Sequence, residues 1–357
     1  MRLRLQRTIT KVSVTHPDDS AQELERLCRE YPLAPHWGTP EVFAEVTEIA
    51  GVRFYLNGLV ASVSAEKTAT GSAASIAGPE LDRAYFELVE RACLLDAIDV
   101  QAPSQALLNA RGVQFGACNR SVAFPTSPNG APWAYARSNG VAAGPTWLAA
   151  CAAAEAEARE RHCVLSAWYG YSVPVRRPLK HETLSELAAL YDFEAYVFPA
   201  PKGDDSTPWL SVIGCFGFPK TSEAPFLAGF GAAHDVRTAE QRAVRETLQR
   251  LGFLWGEAIP DSEPKLQHTA DYHQELYLWP PKLPIVRAWL RGRHAGRLGA
   301  FPSAVRGRAA FIDITPEHLS GRLRVAKMVM GGGLALTFGL GHPHVTRAAV
   351  LGAHPIA

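Results

Sequence analysis

Residues 138–161 read SNGVAAGPTWLAACAAAEAEARER, a small-residue turn running directly into an alanine-rich stretch that ends on two carboxylates and an arginine. The turn half leads toward a helix start, where backbone N–H groups can meet an anion. Thr146 is a good capping residue and alanine the best helix former, so a helix is predicted from Thr146 to about Trp168. Glu157 and Glu160 stand three apart and therefore share one face of that helix, with Arg161 directly after them.

The same frame occurs twice more. FELVER, residues 86–91, carries Glu87, Glu90 and Arg91; RETLQR, residues 245–250, keeps Glu246, puts Gln249 in the second place and closes on Arg250. The copies are spaced unequally and more widely than the roughly 20–50 residues of a solenoid repeat. Three helices of one domain, turned toward a shared site, fit better. The plain alternative for each copy is a solvated face with Glu–Arg pairs, but such pairs contribute only about 0.2–0.5 kcal/mol each. Stability alone gives little reason to repeat them.

Carboxylates pointed at one another repel and raise some of their pKa values. A divalent cation removes that cost, and Mg²⁺ takes hard oxygen ligands together with the phosphates of a nucleotide. Arginine forks suit phosphate oxygens. Paired acids and arginines thus make sense around Mg–ATP, although the chain has no G-x-x-x-x-G-K-[ST] loop and no kinase signature set.

Composition sets the frame for this reading. The chain has 357 residues, 47% hydrophobic and 20% charged, with 36 basic against 35 acidic side chains. That is enough apolar material for a large core, and a balance of +1 gives no basic excess for nucleic acid or membrane. The six cysteines form no C-x-x-C pair and read as small buried hydrophobes, which points to a reduced, cytoplasmic compartment. No signal peptide or membrane span is visible.

Around the repeated frames, 78–98 and 238–254 read as helices, and EAYVFPA, WLSVIGCFGF and RLRVAKMVM as strands. Asn57-Gly58 inside GVRFYLNGLVASVS reads as a hairpin turn. Residues 100–135 read as a loop or hairpin region, and the stretch from WGEAIPDSEPK to residue 320 as irregular. We expect an α/β preamble over residues 1–60, packed on or part of a main domain over 61–357.

At this point the chain resembles the YcaO family. Its pattern S-N-G-x-A-x-G-x-T, an alanine-containing helix and E-x-x-E-R matches from Ser138 through Asn139 to Arg161. FELVERA is similar to the family's first E-x-x-E-R helix and TAEQRAVRETLQR to its later helix, with Ala239, Arg242, Ala243, Glu246 and Gln249 in place. ADYHQELYLWP resembles a further element through Asp271, His273 and Tyr277, and LRVAKMVMGGGLALTFGLGHPH the closing V-x-K-x-x-x-P-G-L segment.

The resemblance implies an α+β fold, a YcaO-type ATP-binding domain with a mixed sheet and helices lining a central Mg–ATP site. It implies that Glu87, Glu90, Glu157 and Glu160 hold Mg²⁺ and that Arg161 contacts phosphate. Arg91, Ser138, Asn139, Glu246, Gln249 and Arg250 would complete the nucleotide site, and Asp271 and His273 would act on substrate. The implied activity is an ATP-dependent cyclodehydratase that phosphorylates backbone amide oxygens of a ribosomally made precursor peptide and turns Cys, Ser or Thr into thiazoline or oxazoline. Thioamide or amidine formation, or a catalytically weakened scaffold, are the alternatives. A separate leader-peptide-binding partner protein, a dehydrogenase in the same complex and a homodimer are expected.

The chain also departs from the pattern. It has TATGSAAS where the family often has Gly-Lys-Gly, Arg83 where a serine is common, His162 for the usual Asp and Gly-Gly-Leu at 332–334 for Pro-Gly-Leu. His342, His344 and His354 read as surface or loop histidines, and Cys163 as packing.

Overall fold

The computed structural model describes residues 17–100, 102–201, 210–293, 309–329, 333–343, 345 and 352–356. The described residues begin with helix α1 (Pro17–Glu30) and a three-stranded antiparallel sheet of β1 (Glu41–Ile49), β2 (Val52–Ser64) and β3 (Lys67–Ser75), in that order. Helix α2 (Leu81–Asp99) lies on β3 and β2. A hairpin of β4 (Ser104–Leu108) and β5 (Gln114–Asn119) follows, then the short α3 (Arg120–Ala123), β6 (Trp133–Tyr135) and β7 (Val141–Gly144).

Helix α4 (Trp147–Trp168) starts where its sequence says it should, with the Thr146 hydroxyl accepting the Ala149 N–H. After β8 (Val175–Arg177) and α5 (Glu182–Glu186), strands β9 (Tyr191–Val197), β10 (Ser211–Pro219) and β11 (Leu227–Ala233) build a second sheet, ordered β11-β10-β9-β8. Helix α6 (Val236–Leu254), capped by Asp235, covers β11 and β10 and also reaches β3. The last elements are α7 (Ala270–Leu278), α8 (Leu283–Leu290), β12 (Ala310–Asp313), β13 (Arg324–Val329) and β14 (Thr337–Gly339). Strands β12 and β13 return to the middle of a third sheet, β5-β4-β12-β13-β7, while β14 pairs with β6.

The α+β class holds, and the strands fall into four separate sheets whose described pairings are all antiparallel, not one mixed sheet. Residue 60 lies inside β2, so one sheet continues across the expected boundary between preamble and main domain. The hairpin expected at Asn57-Gly58 is a correction: both residues sit mid-strand, and the turn is at Ala50–Gly51, where both φ angles are positive. Asn57 is spent elsewhere, its side-chain carbonyl accepting the Glu80 N–H just before α2. The stretch read as irregular up to residue 320 contains α7, α8 and β12. Its turn-forming Thr269 and Pro284 are helix starters, Thr269 accepting the Tyr272 N–H.

The three frame-bearing helices share one packing device. A side chain at Gly71 of β3 would strike the backbone of α2, at Gly144 that of α4, and at Gly229 or Gly231 that of α6. Each helix therefore rests directly on a glycine of its strand. This close approach brings helix side chains within reach of strand N–H groups. Cys93, Cys151, Cys163 and Cys215 are buried and none of the six cysteines is in a disulfide, so the packing role holds for those four. Among the described residues no helix is long and apolar enough to cross a membrane.

Candidate functional site

The first glutamate of each frame does the same thing. Glu87 accepts the Ser72 N–H of β3 at 2.6 Å, Glu157 the Gly140 N–H at 2.7 Å, and Glu246 the Phe230 N–H of β11 at 2.8 Å. Each faces the arginine one turn on: Arg91 at 2.5 Å from Glu87, Arg161 at 2.7 Å from Glu157, and Arg250 at 3.7 Å from Glu246. Gly140 has φ +66, the left-handed conformation that glycine tolerates, and the turn presents both its own N–H and that of Val141 to Glu157. The sequence repeat is thus a structural repeat of strand, glycine contact and helix.

The second position of each frame ties one copy to the next. Glu90 reaches from α2 to the Ala143 N–H of β7 at 2.6 Å, and Gln249 reaches from α6 to the Ser72 carbonyl of β3 at 3.4 Å. Glu160 on α4 is close enough to Glu246 on α6 to be perturbed by its charge. The three copies close into a ring. Glu90 and Glu160 are half-buried.

Two of the ring's acids are pushed toward their neutral forms. Burial, followed by the charges of Glu157 and Glu87, raises the Glu90 carboxyl to about 8 against the Ala143 hydrogen bond. Burial and Glu246 push Glu160 well above the ordinary carboxylate range, with Arg161 opposing. The Gln249 side-chain oxygen is buried without a hydrogen-bond partner. A partly desolvated cluster of carboxyl and amide oxygens edged by arginines fits Mg²⁺ and polyphosphate chemically. Among the described residues no three His, Cys, Asp or Glu side chains stand close enough together to coordinate a metal. The reason is that Glu87, Glu157 and Glu246 are each drawn toward a strand N–H and an arginine.

Around this ring, Arg161 also donates to the Asn139 side chain at 3.4 Å, and Arg91 to the Thr70 hydroxyl at 2.7 Å. Ser138 takes part through its carbonyl, which accepts the Val141 N–H. One neighbour went unassigned in the sequence. Lys327 of β13 is buried, donates to the Asn139 carbonyl at 3.1 Å, and is held at about 8, lowered by burial and supported by Glu157. Its signal was the lysine of the closing motif. The strand N–H groups have no residue-type signal at all, apart from the glycines beside them.

Asp271 and His273 are a different matter. His273 is buried and donates from Nδ1 to the His354 carbonyl at 2.8 Å, while its Nε2 accepts the Gly339 N–H at 2.8 Å. Burial lowers its pKa to about 4, so it stays neutral. With both ring nitrogens engaged by backbone it has no site left for proton transfer, which corrects its expected catalytic role. Asp271 is exposed in the first turn of α7, two residues away and so on another face of the helix. His342 and His354 are likewise buried, correcting the surface reading; His344 lies outside the described residues. His354, Ala353 and Gly352 belong to a tail bonded to His273, Tyr277 and Trp168.

The family model described as "YcaO cyclodehydratase, ATP- and Mg²⁺-binding" matches residues 102–304, more than half of the chain. No curated protein matches. Among solved structures, YcaO from Methanopyrus kandleri bound with AMPPCP and Mg²⁺ is similar at TM-score 0.54 and 16% identity, covering 87% of this chain and 89% of that one. The E. coli microcin synthetase McbBCD complex with pro-MccB17 bound gives 0.55 and 11%, covering 82% and 88%. A heterocyclase in complex with substrate and cofactor gives 0.50 and 17%, covering 88% of this chain and 52% of its own. At these identities the structures show a shared fold. Together with the family match they establish that this chain belongs to the YcaO cyclodehydratase family, whose cofactors are ATP and Mg²⁺.

Proposed function

We propose that the chain is an ATP- and Mg²⁺-dependent enzyme that activates backbone amide oxygens of a ribosomally made precursor peptide, forming thiazoline or oxazoline from Cys, Ser or Thr. The observation that carries this is the closed ring of frame residues, with its uncompensated acids at Glu90 and Glu160. Glu87, Glu90, Glu157 and Glu160 would hold the metal. Arg91, Arg161 and Arg250 would face the phosphates, with Ser138, Asn139, Glu246 and Gln249 completing the nucleotide site. Mg²⁺ there supplies charge neutralisation of the transferring phosphoryl group.

The chemistry needs little else from the protein. An amide oxygen is a poor leaving group; once it carries the γ-phosphoryl group, with ADP released, it departs as inorganic phosphate. The side chain that adds to the carbonyl carbon comes from the peptide itself, which accounts for the missing Ser–His or Cys–His arrangement. A separate leader-binding partner, a dehydrogenase and a second copy of the chain are the proposed associates. Mass spectrometry of a Cys/Ser/Thr-rich peptide encoded beside this chain tests the reaction. Loss of water supports the cyclodehydratase, while exchange of oxygen for sulfur transfers the protein to the thioamide class.

A catalytically weakened scaffold is the second reading. It is favoured by Arg83, which stands at the α2 start 3.2 Å from Glu80 and close enough to Arg245 to depress its pKa, after burial. Bound nucleotide without phosphate release under any partner combination would select it.

A further inference from the structure

A cleft of about 380 Å³ opens beside the ring, lined among others by Ile98, Val122, Phe124, Tyr135, Asn139 and Lys327. Its size suits a short stretch of ligand. Lys327 pairs across the sheet with Val141, and the next residue, Met328, donates its N–H to Gly140. The strand thus places the lysine between the cleft and the turn that holds Glu157. Only 5% of Lys327 is exposed, and its ammonium has one hydrogen bond, to the Asn139 carbonyl, with the Phe124 ring 6.0 Å away. An ammonium carries three donors, and one that is buried with a single backbone partner calls for another oxygen. The cleft is walled mainly by apolar side chains, with Lys327 and Arg137 as its two cations, so the occupant that fits is a largely apolar chain that offers oxygens.

Resting on the amide-activating reading above, we propose that this cleft receives an extended segment of the substrate peptide and that Lys327 is a catalytic residue that holds the oxygen of the amide under attack. When the peptide's side-chain sulfur or oxygen adds to the carbonyl carbon, the C=O π pair moves to that oxygen and the nucleophile's proton leaves to solvent. The ammonium then stands beside the new negative charge, on the side of the cleft nearest the ring that handles phosphate. This is oxyanion stabilisation by a preplaced cation.

The test uses the whole chain. Lysine acylation with sulfo-NHS-acetate, read residue by residue by mass spectrometry, is run alone, with an N-acetylated Gly/Ser decapeptide at millimolar concentration, and with Mg–AMPPCP. The expected result is that Lys327 is acylated in the free protein, that the peptide slows this at least about fivefold, and that Mg–AMPPCP slows it less than about twofold. Lys327 unreactive in the free protein, or protected by nucleotide and not by peptide, overturns the proposal. In parallel, Lys327→Met should lower precursor-stimulated phosphate release by about 10²-fold, with Lys327→Arg recovering part of it. Lys327→Met should still bind a fluorescent Mg–nucleotide; loss of that binding also overturns the proposal. Failure of the wild type to bind Mg–nucleotide would instead sink the amide-activating reading, and the acylation pattern would still judge the cleft.

Discussion

Two buried polar regions lie in this fold, and they solve opposite problems. In the tail region, His273 and His354 are neutral and every bond to them comes from backbone: Gly339, Thr337, Ile356 and the His354 carbonyl. In the ring, Glu90 and Glu160 are half-buried acids raised by desolvation and by the charges of nearby glutamates. In the first region both imidazoles have their ring nitrogens bonded, and they fasten the C-terminal tail. The second keeps two acids pushed toward their neutral forms, the feature that the proposed Mg–nucleotide site would use. Burial of a polar group thus marks a clasp when partners are internal and a binding site when they are not.

The sharpest way to break this contrast is to neutralise the ring. Changing Glu157 and Glu160 together to Gln should lower nucleotide-dependent phosphate release by at least about 10³-fold, read by a phosphate assay. Unchanged turnover would remove the site assignment. His273→Ala should instead leave Mg–nucleotide binding intact and destabilise the fold by roughly 2–4 kcal/mol, because the Gly339 N–H and the His354 carbonyl both lose a buried partner. Thermal or denaturant unfolding with a nucleotide-binding control separates the two effects.

Gly71→Ala should cost about 1–3 kcal/mol by pushing α2 off β3. Because that shift moves Glu87 away from the Ser72 N–H, weaker nucleotide binding should accompany it. The mildest effect is the pH dependence of stability. Folded Glu90 keeps its proton to about 8 while the unfolded group releases it near 4.5, so its contribution is full below 4.5 and is lost as pH rises toward 8. His273 titrates near 4 when folded against 6.5 unfolded, so its contribution is present above 6.5 and is lost as pH falls toward 4. Melting curves of the ligand-free protein should show both slopes. Glu90→Gln or added Mg–nucleotide should flatten only the alkaline one.

The frame helices were readable because helix periodicity is local: Glu157 and Glu160 share a face in any helix that contains them. Thr146 was readable as a cap for the same reason. Strand β11 was missed because LAGFGAA alternates nothing; all seven residues are buried, with α6 and α4 both packed on the strand. His273 misled because Asp-x-His near a helix start looks the same whether its partner is a substrate or the chain's own tail, and Gly339 and His354 lie 66 and 81 residues away.

By itself the sequence determined three like turns, two with paired acids and one with Glu246 and Gln249, each closing on an arginine, and the spacing that made metal and phosphate the natural occupants. Only the tertiary structure decided that these turns form a ring, with Glu90 bonded into β7, Gln249 into β3 and Glu160 set against Glu246. It also decided that Lys327 stands at the ring's edge while His273 is bonded into the C-terminal tail. The physical reason is that side-chain direction along a helix depends on near neighbours, whereas closing a ring depends on strand N–H groups and glycine contacts whose partners are distant in the chain.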